Sequence, residues 1–175
     1  MKKYFKIICA LLLIALTGIV FGQEKSVQLS KKDVKKFIKN YKSVYEEIYT
    51  IQNSDMDEVA MEEAFDEVLK KAGFGGKEGG DKFEEICRLY NFCFYSELYS
   101  TVPDFELYTG VPKQLFYEVN EFQINQENLA IFYPYYEKVK ELSGTDINEV
   151  AEYYKSMYEY SQSNDMLPDA EDYSE

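Results

Sequence analysis

Phe83-Glu84-Glu85-Ile86-Cys87-Arg88-Leu89-Tyr90-Asn91-Phe92-Cys93-Phe94-Tyr95-Ser96-Glu97-Leu98 is the stretch whose reading decides the fold. Phe83, Ile86, Cys87, Tyr90, Phe94 and Leu98 recur at steps of three and four, the spacing of one face of an α-helix. Leu89, Phe92, Cys93, Tyr95 and Tyr99 cover much of the remaining circumference. A helix that is apolar most of the way round is either central or carries an interface. Pro103 breaks the pattern, so the reading is a central helix over residues 81–102.

The same stretch sets the state of its two cysteines. Six residues of helix rise ~9 Å and rotate to a face ~120° away. A disulfide tolerates a Cα separation of only ~7 Å. An intact helix therefore keeps Cys87 and Cys93 as buried free thiols, with Cys87 facing the core. The competing reading is a break near Asn91 that lets them bond, which export to an oxidising compartment would favour.

Four further helices are read outward from this one. Residues 30–51 open at Ser30, an N-cap with Asp33 in the first turn, and carry the stripe Val34, Phe37, Ile38, Tyr41, Val44, Tyr45 and Ile48. Residues 55–72 place Ala60, Ala64, Phe65, Val68, Leu69 and Ala72 on one side, with Gly73 as the C′ residue. Residues 112–142 repeat every seven at Leu115, Val119, Phe122, Gln126, Leu129, Tyr133, Tyr136 and Val139, with a kink expected at Pro134. Residues 145–161 are capped by Thr145 and turn Ile147, Val150, Ala151, Tyr154, Met157 and Tyr158 inward. No segment shows the alternation of a half-buried strand. The expected architecture is an all-α bundle of four to five helices.

Between the second and third helices, residues 73–80 hold five of the nine glycines. This reads as a flexible connector. A phosphate loop needs Gly-Lys followed by Ser or Thr, after a strand and before a helix; here Lys77 precedes Glu78 and a helix comes first. Residues 104–111 read as a second connector.

At the N-terminus Lys2, Lys3 and Lys6 precede an apolar run over residues 7–21 that ends in Val20-Phe21-Gly22. This is the layout of a secretory signal peptide, and the run is about five residues short of the ~20 that span a bilayer. The expected organisation is a signal peptide over residues 1–22, a helical domain over 23–162 and a disordered acidic tail over 163–175. The expected location is periplasmic or secreted, with no membrane span after processing.

The chain carries 19 Lys and Arg against 32 Asp and Glu, a net charge of −13. Removing residues 1–22 takes three lysines and no acid, leaving 16 against 32 and a net charge of −16. Such a field repels phosphate backbones and anionic lipid, so nucleic acid is excluded as a partner class. Arg88 is the single arginine, leaving little for bidentate phosphate recognition.

The chemistry is bounded by what is missing. There are 0 histidines, so Ser–His and Cys–His nucleophile systems and the common zinc ligand sets are excluded. Asn53, Asp55 and Asp57 have the spacing that opens a calcium loop, but Glu58 and Ala64 stand where Gly and a bidentate Glu are required. A helix N-cap explains the same residues. Paired acids at Glu46/Glu47, Glu62/Glu63 and Glu84/Glu85 point in different directions on a helix, as solvated faces do. No metal, cofactor or catalytic residue is assigned.

The unusual feature is aromatic content. Beyond residue 22 the chain holds 16 of its 17 Tyr and 10 of its 12 Phe, and no Trp. Tyrosine buries a large apolar body while its hydroxyl seeks a partner, so many tyrosines belong at a core edge or a binding surface. The leading expectation is an exported, non-enzymatic helical protein that binds a protein partner through a Tyr/Phe-rich face. Its candidate residues are Tyr95, Tyr99, Tyr133, Tyr136, Tyr154 and Tyr158. The alternative is a carrier of a small apolar ligand held between helices; an enzyme built on carboxylates and tyrosine ranks third.

Overall fold

The computed structural model describes residues 27–121 and 123–165. Residues 1–22 and most of the expected tail lie outside that range. The fold is all-α, with no strand among the described residues.

Helix α1, Lys31–Gln52, starts where Ser30 predicts. The Ser30 hydroxyl accepts from the Asp33 N–H at 3.3 Å, and Asp33 Oδ2 accepts from the Ser30 N–H at 3.0 Å. This reciprocal box satisfies two of the donors a helix start leaves open. Burial alone would raise the Asp33 carboxyl, but the Ser30 donors and nearby Lys82 and Lys36 hold it below its ordinary value. Helix α2, Glu58–Lys71, is capped by Asp57, which accepts from the Ala60 N–H at 2.9 Å. Asn53, at the other end of the calcium-like triplet, is the C-cap of α1.

Helix α3, Gly76–Thr101, is the central element and packs against α1, α2 and three of the helices that follow. It starts five residues before the expected Asp81, so most of the glycine segment is its first turns rather than a flexible connector. Gly73, at φ +82°, ends α2, and Phe74 then inserts into the core, 1 % exposed. At Gly79 an added Cβ would stand 2.4 Å from the Phe74 carbonyl group. Glycine is needed there for close backbone approach, which composition alone does not distinguish from flexibility. Cys87 and Cys93 are both free and buried, as an unbroken helix requires.

Beyond α3 the chain is more segmented than its heptad pattern suggests. Residues 104–111, read as connector, contain the short helix α4, Phe105–Thr109, whose Phe105 is buried. The expected long helix over 112–142 is three helices: α5, Lys113–Glu121; α6, Gln126–Phe132; and α7, Tyr136–Ser143. Asn125 caps α6 by accepting from the Glu127 and Asn128 N–H groups at 2.9 and 3.1 Å. Pro134 lies in a 3₁₀ turn, Tyr133–Tyr135, in place of a simple kink. The break before Asn125 resets the helical face. Leu115, Val119 and Tyr133 are therefore exposed, while Asn128, Phe132, Tyr136 and Val139 face inward.

Helix α8, Ile147–Asp165, runs past the expected end at Ser161. Its cap is Asp146, which accepts from the Asn148 and Glu149 N–H groups at 2.8 and 3.2 Å. Thr145, the expected cap, is buried instead. Met157, expected inward, is exposed.

Candidate functional site

Four of the six tyrosines that the sequence singles out, Tyr95, Tyr99, Tyr154 and Tyr158, gather around α4, α5 and α8. Tyr99 stacks on Phe116 of α5 at 4.9 Å between ring centres and meets Phe105 of α4 edge-on at 5.1 Å. Phe105 in turn meets Tyr154 of α8 at 5.5 Å. The hydroxyls of Tyr95 and Tyr154 stand 2.7 Å apart, closing the ring of contacts between α3 and α8. Tyr158 sits at the margin, 6.1 Å from Tyr108. Offset and edge-on pairs of this kind contribute ~0.5–1.5 kcal/mol each beyond the area they bury.

The local chain path explains how α4 reaches this cluster. Asp104 adopts φ +57° after Pro103, and Gly110 adopts φ +68°, so left-handed residues bracket the helix. Aspartate tolerates that region better than most side chains. Tyr99 fixes the far end: its hydroxyl donates to the Val111 carbonyl at 3.0 Å.

Tyr136 and Tyr133 belong to a second group. The Tyr136 hydroxyl donates to Glu97, and Lys140 Nζ bonds both Glu97 oxygens at 2.8 and 2.9 Å. Lys140 also lies 5.2 Å from the centre of the Tyr136 ring. Tyr133 stacks on Tyr136 from outside and is 64 % exposed. Rings at Tyr90 and Phe94 join Tyr136 to Tyr95 across the core. The six tyrosines therefore form two centres linked through α3 rather than one exposed face. Burial pushes the Tyr95, Tyr136 and Tyr154 hydroxyls above their ordinary value, so these rings stay neutral and act as packing with internal hydrogen bonds. Burial and Glu97 push the Cys93 thiol up to about 12.

What lies open to solvent is the outer side of the helices over the cluster. Ten large apolar side chains are exposed among the described residues, and six of them belong to this cover. They are Leu107 on α4, Val111 in the link that follows it, Leu115 and Val119 on α5, and Met157 and Tyr160 on α8. Leu115 and Val119 share a helical stripe at four residues' spacing, and Met157 and Tyr160 share one at three. The seven-residue repeat placed Leu115 and Val119 on the same stripe as Tyr136 and Val139, which are buried. The signal that separates them is the Asn125 cap, which ends their register.

A third arrangement went unread in the sequence. Glu85, 1 % exposed, is bonded to Arg88 and accepts from Asn128 Nδ2 at 2.8 Å. Asn128 also accepts from the Leu29 N–H at 2.8 Å and donates to the Val27 carbonyl at 2.7 Å. Its amide thus holds the backbone of an extended segment as a neighbouring strand would. The single arginine serves this buried clasp.

The remaining acids do not converge on a reactive centre. The open groove between α1 and α2, about 480 Å³, has Ile51 and Val68 at its base and Glu46, Glu47, Glu67 and Lys71 among its lining. Lys71 pairs with Glu47 at 3.2 Å and Lys70 with Glu67 at 3.0 Å. Among the described residues no group of three or more acidic or cysteine side chains is placed to hold a metal ion, and no helix is long and apolar enough to cross a membrane. No family model, curated protein or solved structure matches the chain.

Proposed function

We propose that this chain is an exported, non-enzymatic helical protein that binds a protein partner through the outer side of α4, α5 and α8. The observation that carries the reading is the concentration of exposed Leu107, Val111, Leu115, Val119, Met157 and Tyr160 on the cover of one aromatic cluster. Large exposed apolar side chains grouped in this way mark interaction surfaces. The aromatic packing beneath supports a rigid platform, which lowers the ordering cost of binding. Export rests on Lys2, Lys3 and Lys6, the apolar run over residues 7–21 and the Val20-Phe21-Gly22 ending. A carrier of small apolar ligands calls for an enclosed apolar pocket, whereas the groove between α1 and α2 is open and rimmed by glutamates.

Native mass spectrometry of the protein purified from the envelope or exterior of its host tests this reading. The expected species lacks about the first 22 residues and carries the added mass of a second polypeptide. An unprocessed chain, or a complex whose added mass is a small molecule, overturns it.

A further inference from the structure

The charge around the exposed face specifies the chemistry of what covers it. Along α4 and α5 the exposed ionisable groups are Asp104, Glu106 and Glu118 against Lys113. Along α8, the exposed Glu152 and Glu159 and the half-buried Glu149 stand against the half-buried Lys155. Glu106 Oε2 is held by the Lys113 N–H at 3.1 Å and Glu118 Oε1 by Gln114 at 2.7 Å, so two of these carboxylates flank the Leu115/Val119 stripe in fixed positions.

Resting on the partner-binding reading, we infer that the occupant of this face is a cationic amphipathic helix supplied by another protein. Its apolar stripe covers Leu115, Val119 and Met157, and its Lys or Arg flanks face the acidic rim. A second copy of this chain fits poorly, because it brings the same carboxylates and a net charge of −13 of its own. A strand fits poorly too: among the described residues there is no sheet edge to extend, and α4, α5 and α8 use their backbone groups internally. A helix instead needs no free backbone group and lays its own apolar side chains on exposed ones such as the Leu115/Val119 row of α5. The opposed charges orient the partner and speed encounter more than they tighten the complex, so association is salt-sensitive.

The test uses the chain expressed from residue 23 and three synthetic helical peptides of equal length. One has a leucine stripe with lysine flanks, one a leucine stripe with glutamate flanks, and one lysine with glutamine and no stripe. Calorimetry gives affinity, and amide chemical-shift changes give location. The leucine/lysine peptide is expected to bind on the order of tenfold or more tighter than either other peptide. Its shifts are expected at α5 and α8, and its binding is expected to weaken at least about tenfold in Leu115→Gln/Val119→Gln, an exposed-site variant whose helicity is checked by circular dichroism.

Equal binding of the lysine/glutamine peptide would mean bare charge attraction and overturns the inference. Equal binding of the leucine/glutamate peptide, lost in the variant, overturns the cationic preference while leaving the face a docking surface. Reversible dimerisation abolished by the variant would assign the face to a second copy and also overturns it. Binding of no peptide overturns the cationic helix. Without any complex in native mass spectrometry, the partner-binding reading falls with it.

Discussion

Replacing Asn128 with alanine removes the whole amide that joins the Val27–Leu29 backbone to Glu85. Three hydrogen bonds go together, from the Leu29 N–H, to the Val27 carbonyl and to the Glu85 carboxylate. If the clasp stays closed, each buried group left without a partner costs ~1–3 kcal/mol, more where the group is charged. If the segment instead swings free, Leu29 leaves a site where it is 3 % exposed. Exposing that side chain costs ~1.5–3 kcal/mol, in addition to the lost bonds. The cheaper route sets the loss, at least ~3 kcal/mol by either sum, a large share of the ~5–15 kcal/mol that stabilises a domain. Urea unfolding followed by circular dichroism reads the loss, and the melting temperature falls by about 10 °C. Asn125→Ala is the internal control: it removes a cap from the same helix and costs ~1 kcal/mol. The Leu29 amide also exchanges faster in Asn128→Ala. A loss no larger than that of Asn125→Ala, with unchanged Leu29 exchange, refutes the clasp as a stabilising element.

Four further outcomes follow from particular atoms. Burial raises the Tyr90, Tyr95, Tyr136 and Tyr154 hydroxyls and the Cys87 and Cys93 thiols above their unfolded values of 10.0 and 9.0. Their contribution is complete below about pH 9 and is lost as pH rises through the folded values, since the unfolded chain ionises first; a melting temperature unchanged from about pH 9 to 11 contradicts this. Gly79→Ala lowers stability by ~1–3 kcal/mol because its Cβ meets the Phe74 backbone, while Gly80→Ala, with nothing within 4 Å, raises it by ~0.5–1 kcal/mol; chemical denaturation of the pair checks both. Alkylation of the denatured, unreduced chain from residue 23 adds two labels, at Cys87 and Cys93, whereas the same chain in its native state at neutral pH takes none; a label-free denatured monomer would show a bond between them. Ser96 Oγ is buried without a hydrogen-bond partner among the described residues, so Ser96→Ala is neutral or stabilising by up to ~1 kcal/mol; a clear loss would reveal a partner for that hydroxyl.

What was legible in the sequence was what periodicity and caps encode locally. Phe83 to Leu98 hold one helical phase, and α3 is central and unbroken across both cysteines. Ser30 and Gly73 mark helix ends where the structure has them. The misreadings arose where a local pattern is decided by a distant contact. The glycines over residues 75–80 look flexible until Phe74 is placed in the core beneath Gly79. A seven-residue repeat runs through Asn125 on paper, yet that residue accepts two backbone bonds and starts a new helix, which turns Leu115 and Val119 outward. The Asn128 clasp joins residues about a hundred positions apart, and no local window contains both halves. The tyrosine set was rich in true neighbours, but Tyr95, Tyr99 and Tyr154 lie in the platform, Tyr136 lies in a second centre, and the exposed α4–α5–α8 side chains other than Tyr160 are not aromatic.

Photo-crosslinking in the native host reads whether the α4–α5–α8 face meets a protein partner. A photoreactive amino acid is placed in turn at Leu115, Val119 and Met157, and at Lys42, an exposed residue of α1. The same discrete protein adduct is expected from the first three positions and none from Lys42. Adducts of equal yield from Lys42, or none from the three face positions, would contradict the partner-binding reading.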